Sequence, residues 1–218
     1  MKLYYFTSQQ YALESLRDKR LKIARFSELN DPFDFMGLAL DYYTQRHYLN
    51  LARDEADKAH GIICMSTSWQ QPLLWGHYAD KHKGICLGFD VVKEDWKKVR
   101  YVKSRPTLQS LGVSTLLDMS DEQWETVSLT KFKAWSYERE FRRLVDLGEP
   151  DLVSSLHFQP FSDAMRLREV IFGYRSTVGE AMLNKLCLHV GGSVEVFQAR
   201  PAFREFKIVR RQNGFSWA

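Results

Sequence analysis

Cysteine is scarce in this chain of 218 residues: Cys64, Cys86 and Cys187 are odd in number, far apart and each set in an apolar stretch. That pattern excludes a disulfide framework and reads as buried small hydrophobes in a reducing, cytoplasmic compartment. Long apolar runs are absent too. Stretches such as 61–65 and 170–173 fall far short of the roughly 20 residues needed to cross a bilayer. The first residues, Met1-Lys2-Leu3-Tyr4-Tyr5-Phe6, read as a strand, so no secretory leader is expected. There is no internal repeat, linker or low-complexity tract. The phosphate-cradling GxxxxGK[ST] and GxGxxG patterns, a CxxC pair and a GxSxG nucleophile elbow are all missing, which removes the commonest nucleotide, zinc and hydrolase signatures.

What is present is enough apolar residue, 44%, for one substantial core, and a single α+β domain over residues 1–218 is the expectation. A net charge of +4 and a pI near 8.9 give a mildly basic surface, compatible with a nucleic-acid partner. The pattern predicts a strand at 1–6, a helix over 9–19 capped by Thr7-Ser8, and a strand at 21–26. Asn30-Asp31-Pro32 must turn, because proline keeps the residue before it out of the helical region. A polar helix follows over 41–59, with Tyr42, Tyr43, Tyr48 and Leu49 turned inward. A central strand at 61–65 delivers Ser66-Thr67-Ser68, and Pro72 opens a helix to His82 that Gly84 stops. Further strands are expected at 85–89, 135–145 and 169–172. Helices at 121–132 and 178–189 and a closing hairpin of 194–199 with 203–210 complete the pattern.

Three polar constellations stand out. On a strand through 135–145, Glu138, Glu140 and Arg142 share one face at period two, and ionisable groups there need water or a ligand to satisfy them. Ser66 and Ser68 lie where a buried strand opens into a helix, a place where hydroxyls also serve as caps. His77, Tyr78 and His82 follow on the next helix. Their rings suit stacking on a planar ligand or packing in a core. The spacing of five between the histidines turns them apart, so no metal is expected. The segments around 30–34, 66–82 and 138–142 are taken as one functional cleft.

Asn30-Asp31-Pro32-Phe33-Asp34, the stretch from Trp75-Gly76-His77-Tyr78 to His82-Lys83-Gly84, and Trp135-Ser136-Tyr137-Glu138-Arg139-Glu140-Phe141-Arg142 resemble a bacterial family, domain of unknown function 2971. Members of that family are met as uncharacterised and phage-defence-associated proteins. More distantly, the opening strand with Thr7, the Ser66-Thr67-Ser68 strand end and Glu138-Arg139-Glu140 resemble, in order, elements of the ADP-ribosyltransferase fold, with its mixed, split β-sheet and flanking helices around a central cleft.

That resemblance implies an enzyme that uses NAD as a substrate. It would transfer ADP-ribose to a macromolecule, nucleic acid among the acceptors, or hydrolyse NAD, as a toxin or antiphage effector. It implies Glu140 as the catalytic carboxylate and Glu138 as the residue orienting the acceptor. Ser66 and Ser68 would support carboxylate and ribose, Tyr78 would stack on nicotinamide, and Asn30 and Asp31 would line the cleft. Tyr5 stands where the superfamily presents Arg or His to the dinucleotide, so Arg25, His77 or Arg142 is expected to supply the charge. Two other readings compete: a metal-independent nuclease using His77 or His82 with Glu140, and a non-catalytic module binding a nucleic acid or small ligand.

Overall fold

A computed structural model of the protein describes residues 1–191 and 193–212. The first strand, β1 (Lys2–Thr7), is followed by α1 (Gln9–Asp18) and β2 (Arg20–Lys22). Next come α2 (Tyr43–Ala59), β3 (His60–Ser66), α3 (Pro72–Tyr78) and β4 (Ile85–Val91). Short strands β5 (Lys97–Lys98) and β6 (Arg100–Val102) precede α4 (Asp121–Ser128), β7 (Thr130–Phe132) and β8 (Glu140–Asp146). The chain continues as β9 (Phe158–Pro160), β10 (Met165–Phe172), α5 (Glu180–Val190), β11 (Glu195–Pro201) and β12 (Ile208–Arg210). The fold is mixed α+β, with extensive mixed β-structure and several helices. The chain divides into two compact units, one holding Met1–Leu21, Met65–Asp95 and the described residues from Gln159, the other Lys22–Cys64 and Trp96–Phe158.

In the first unit the strands run in the order β12, β11, β10, β4, β1. β10 and β11 are parallel, while β4 is antiparallel to both β1 and β10. Ser66, at the end of β3, lies opposite Tyr4. Ser8 caps α1 by accepting from the Tyr11 amide at 3.3 Å, a bond worth about 1 kcal/mol. Lys19, in the left-handed region at φ 52°, closes the helix onto Ser15. Apolar residues of β1, α3, β4, β10, β11 and β12 form one core around Trp75, which is fully enclosed and meets Phe6 edge-on.

The helix expected over 72–82 ends at Tyr78. Asp80, Lys81 and His82 then take successive left-handed conformations, at φ 42°, 52° and 71°. The Gly84 amide donates to the Ala79 carbonyl and the His82 amide to that of Trp75, so the turn is locked on both sides. Left-handed backbone costs a residue with a Cβ roughly 1–2 kcal/mol, and packing holds it here. A Cβ on Gly84 would stand 2.2 Å from the Thr7 carbonyl oxygen, and one on Gly173 would stand 2.0 Å from that of His82. Only glycine permits these approaches.

In the second unit β3, β8 and β5 are neighbours in that order, and β6 pairs with β7 in parallel. Leu49 of α2 packs with Leu38, Leu108, Leu116, Met119 and Val127, and Phe26, Phe35 and Ile62 form a second cluster. Several expectations change here. Tyr42, Tyr43 and Tyr48 lie on the exposed side of α2 and Leu49 alone is buried, because aromatic content does not decide which helix face meets the core. The helix expected over 121–132 stops at Ser128, whose hydroxyl donates to the Glu125 carbonyl, and β7 begins two residues on. The expected strand over 135–145 is a 3₁₀ turn at Lys133–Glu138, a left-handed Arg139 at φ 47°, and only then β8. The three cysteines are free.

Replacing Gly84 or Gly173 by alanine should lower stability by at least 1–3 kcal/mol, the usual cost of forcing atoms into a packed site. Denaturant titration checks this, and the same change at Gly148, where a Cβ meets nothing within 4 Å, is the control.

Candidate functional site: a buried charge cluster and the pocket beside it

The second unit buries five ionisable side chains together: Asp34, Lys131, Glu138, Glu140 and Arg142. Asp34 comes from the turn after Pro32, Lys131 from the middle of β7, Glu138 from the end of the 3₁₀ turn and the last two from β8. Arg142, 1% exposed, donates from Nε to Glu140 Oε1 at 2.7 Å, from Nη2 to Asp34 Oδ1 at 2.7 Å and from Nη1 to the Ser128 carbonyl at 2.6 Å. Lys131 Nζ donates to Glu138 Oε2 at 2.7 Å and to Glu140 Oε2 at 3.0 Å, and lies 3.6 Å from Asp34 Oδ2. Bringing so many charges out of water is tolerable because Lys131 and Arg142 between them bond all three carboxylates and Arg142 also bonds the Ser128 carbonyl.

Titration follows from this geometry. Burial alone would raise the Glu140 carboxyl, but Arg142 and Lys131 outweigh it and hold the group down at about 2. Burial pushes Asp34 up, an effect that the charges of Arg142 and Lys131 only partly oppose. Lys131 is disfavoured by burial and yet raised, because Glu140, Asp34 and Glu138 surround it. The Cys64 thiol, hydrogen-bonded to Glu140, is pushed well up by burial and by that carboxylate, so it stays protonated. Burial carries the Tyr101 phenol up to about 12; its oxygen accepts from the Glu140 amide at 2.8 Å. With three carboxylates against two cations the cluster carries one surplus negative charge when fully ionised.

Lys131 also forms part of the wall of a pocket of about 260 Å³, whose other walls include Phe33, Phe132, Lys103, Ser104 and Arg105. Phe33 and Phe132 are exposed, and the Arg105 guanidinium lies 4.2 Å from the centre of the Phe33 ring. This is a small site of aromatic faces and cations that shares Lys131 with the charge cluster. Among the described residues no cluster of three or more His, Cys, Asp and Glu is arranged to hold a metal ion.

The residues singled out from sequence fall in both units. In the second, Glu138, Glu140 and Arg142 come together, but from the end of the 3₁₀ turn and from β8 rather than from one strand face. Their charges are met by one another and by Asp34 and Lys131. All three guanidinium nitrogens of Arg142 donate inside the cluster. Asp31 is buried, accepting from the Phe33 amide at 2.9 Å, while Asn30 is exposed. In the first unit Tyr5 and Thr7 lie on β1, opposite Leu87 and Ile85. Ser66 Oγ accepts from the Ser68 amide and Ser68 Oγ from the Gln70 amide, both at 3.2 Å, so each hydroxyl shapes the turn before α3. His77 is exposed and meets Tyr78 edge-on, with ring centres 6.2 Å apart. His82 stacks on Trp75, and burial with the nearby Arg175 charge lowers its pKa.

Sequence reasoning missed Lys131, Lys103, Arg105 and Phe132, and did not assign Asp34 a role. Lys131 carried a signal, since Thr130-Lys131-Phe132 is a short β-prone triplet with a charge at its centre. Nothing in sequence joined it to residues seven and nine positions later.

The family described as a protein of unknown function, DUF2971, has a model that matches residues 74–143, a segment holding β4, α4, β7 and four members of the charge cluster. The match supports the resemblance to that family over this segment and does not reach Asn30-Asp31-Pro32-Phe33-Asp34. No curated protein and no solved structure matches the chain. No helix among the described residues is long and apolar enough to cross a membrane.

Removing one partner from a buried charge network leaves the other uncompensated, so Arg142→Met and Lys131→Met should each cost about 3–5 kcal/mol in urea titration. The pH dependence has a definite sign. Glu140 is depressed in the folded state, from the usual 4.5 to about 2, so its contribution is full above about pH 4.5 and is lost as pH falls toward 2. Asp34, raised by burial, binds its proton more readily when folded and acts in the opposite direction on acidification. Glu140→Gln should therefore start less stable and lose less stability over that acid range than the wild type. Chemical denaturation at stepped pH measures both slopes.

Proposed function

We propose that the protein is an ADP-ribosyltransferase-like enzyme that takes NAD at the pocket of the second unit and breaks its nicotinamide–ribose bond. One observation carries the reading: a pocket with two exposed phenyl rings, an arginine and two lysines shares one of those lysines, Lys131, with a buried, carboxylate-rich cluster. The rings suit a planar base, and Lys103 and Arg105 suit phosphate. A pocket of about 260 Å³ is at the small end for ligand sites, about 300–1,000 Å³, and matches one half of a dinucleotide with the rest outside.

In the reaction, the bond between ribose C1′ and the nicotinamide nitrogen breaks with its electron pair leaving on nicotinamide. The cationic ribosyl carbon is then captured by a hydroxyl or amine of the acceptor, or by water, with loss of a proton. A fixed negative charge near that carbon lowers the barrier. Glu138 and Glu140 supply it as members of a cluster with one surplus negative charge, and Lys131 and Arg142 hold both in place. The order Thr7, Ser66-Ser68, Glu138-Glu140 along the chain supports the same reading, with the split sheet and cleft of that superfamily as part of it. Lys103 and Arg105 take the role that Tyr5, lacking charge, leaves open.

Nicotinamide release from NAD, measured alone and with DNA, RNA or protein acceptors, tests the proposal. Wild type should release nicotinamide. Arg105→Ala, at an exposed position, should raise KM about tenfold while leaving kcat within a few-fold. Glu140→Gln, checked for folding by circular dichroism, should lose at least a hundredfold in turnover. Absence of both NAD binding and nicotinamide release in every mixture would overturn the reading. Polynucleotide cleavage without NAD would put the nuclease reading in its place.

A further inference from the structure

The β11–β12 end of the chain is strongly basic. Residues 200–211 hold Arg200, Arg204, Lys207, Arg210 and Arg211 against Glu205 alone, a local excess equal to the net charge of +4 of the whole sequence. These residues form the β11–β12 hairpin of the first unit. Its turn also exposes two large aromatics: Phe206 is fully solvent-facing and Phe203 is 64% exposed. Arg200 lies 4.4 Å from the centre of the Phe203 ring and Arg210 lies 4.5 Å from that of Phe197, so cations and ring faces alternate along the hairpin. Arg204 and Lys207 make no ion pair among the described residues.

The hairpin is anchored. Ile208, at the start of β12, is buried and its amide donates to the Gln70 carbonyl at 2.9 Å, while the Arg211 amide donates to that of Gln198 at 2.8 Å. Against the turn lies a cavity of about 480 Å³ whose walls include His82, Tyr174, Phe203, Arg204, Phe206 and Lys207. On its inner side the His82 ring is nearly parallel to Trp75, at 6° and 6.4 Å between centres, and tilts against Tyr174 at 5.3 Å. Arg175 lies over the Tyr174 ring, 5.1 Å from its centre. The left-handed turn at Asp80, Lys81 and His82, locked by Gly84 and Gly173, holds the imidazole in this wall.

Exposed apolar rings among cations suit two partners, a membrane surface or unpaired bases on a phosphate backbone. The cavity separates them. An interfacial loop inserts its rings into lipid and has no need of a concave site lined by stacked rings, whereas a base flipped from a single strand fills one. We propose that the β11–β12 hairpin and the His82–Tyr174 cavity bind single-stranded nucleic acid. One base stacks in the cavity against Phe206, and Arg204 and Lys207 meet the flanking phosphates. A duplex, whose base faces are hidden, does not fit this arrangement. The proposal rests on the first unit's surface and does not depend on NAD being used.

Fluorescence anisotropy of the full chain with a labelled twelve-nucleotide single strand tests it, with duplex of the same sequence, heparin, and phosphatidylserine vesicles as competitors. The single strand should bind and the duplex should compete at least tenfold more weakly. Phe206→Ala should weaken binding about tenfold. Arg204→Ala combined with Lys207→Ala should reduce the slope of log affinity against log salt by about 1.4, for two phosphate contacts on a single strand. All three positions lie on the surface turn, so folding should be unchanged. Equal competition by heparin or duplex, preferential binding to vesicles, or binding indifferent to Phe206→Ala would each overturn the proposal. Because nicotinamide release from NAD alone is measured separately, either reading can fail while the other stands.

Discussion

Arg142 is the residue on which the second unit is built. A guanidinium that is 1% exposed has lost its water, and it recovers that loss only through the Glu140 carboxylate, the Asp34 carboxylate and the Ser128 carbonyl. Those partners come from β8 itself, from the turn after Pro32 and from the end of α4. Satisfying one side chain therefore sets the relative placement of three elements that share no sequence neighbourhood. Lys131 repeats the device from β7 and ties Glu138 to the same group. A planar, five-donor group can organise carboxylates in this way where lysine alone would not.

Much of the architecture could be read from local pattern. Alternation in β1, the Ser8 cap, Pro72 at the start of α3 and the apolar runs of β3 and β4 all reflect short-range rules, and those elements stand where periodicity puts them. The failures are equally physical. Tyr42, Tyr43 and Tyr48 looked like core residues because aromatics usually are, yet a single buried Leu49 suffices to seat α2. The regular alternation of Glu138, Glu140 and Arg142 looked like one strand face. Arg139 breaks the strand with a left-handed turn, and the three still converge because the 3₁₀ turn brings Glu138 round to Lys131. Glu138, Glu140 and Arg142 were thus legible, and Asp34 and the lysines were not. Lys131, Lys103 and Arg105 reach the candidate site through tertiary contacts that no spacing announces.

The two units carry different kinds of surface. The second combines a buried charge cluster with a small aromatic and cationic pocket, the features on which the proposed NAD site rests. The first carries a left-handed turn held by two glycines, stacked rings beside a cavity, and a basic hairpin. Ser66 and Ser68, expected at the chemistry, shape the turn that leads to α3, and α3 in turn presents Trp75, on which His82 rests.

Amide hydrogen exchange with and without NAD tests the location of the proposed site most directly. Binding at the charge-cluster pocket predicts added protection in peptides covering residues 100–105 and 130–134, with the peptides of α5 unchanged. Saturating NAD that leaves those two segments unaltered, or that protects some other region instead, would contradict the account.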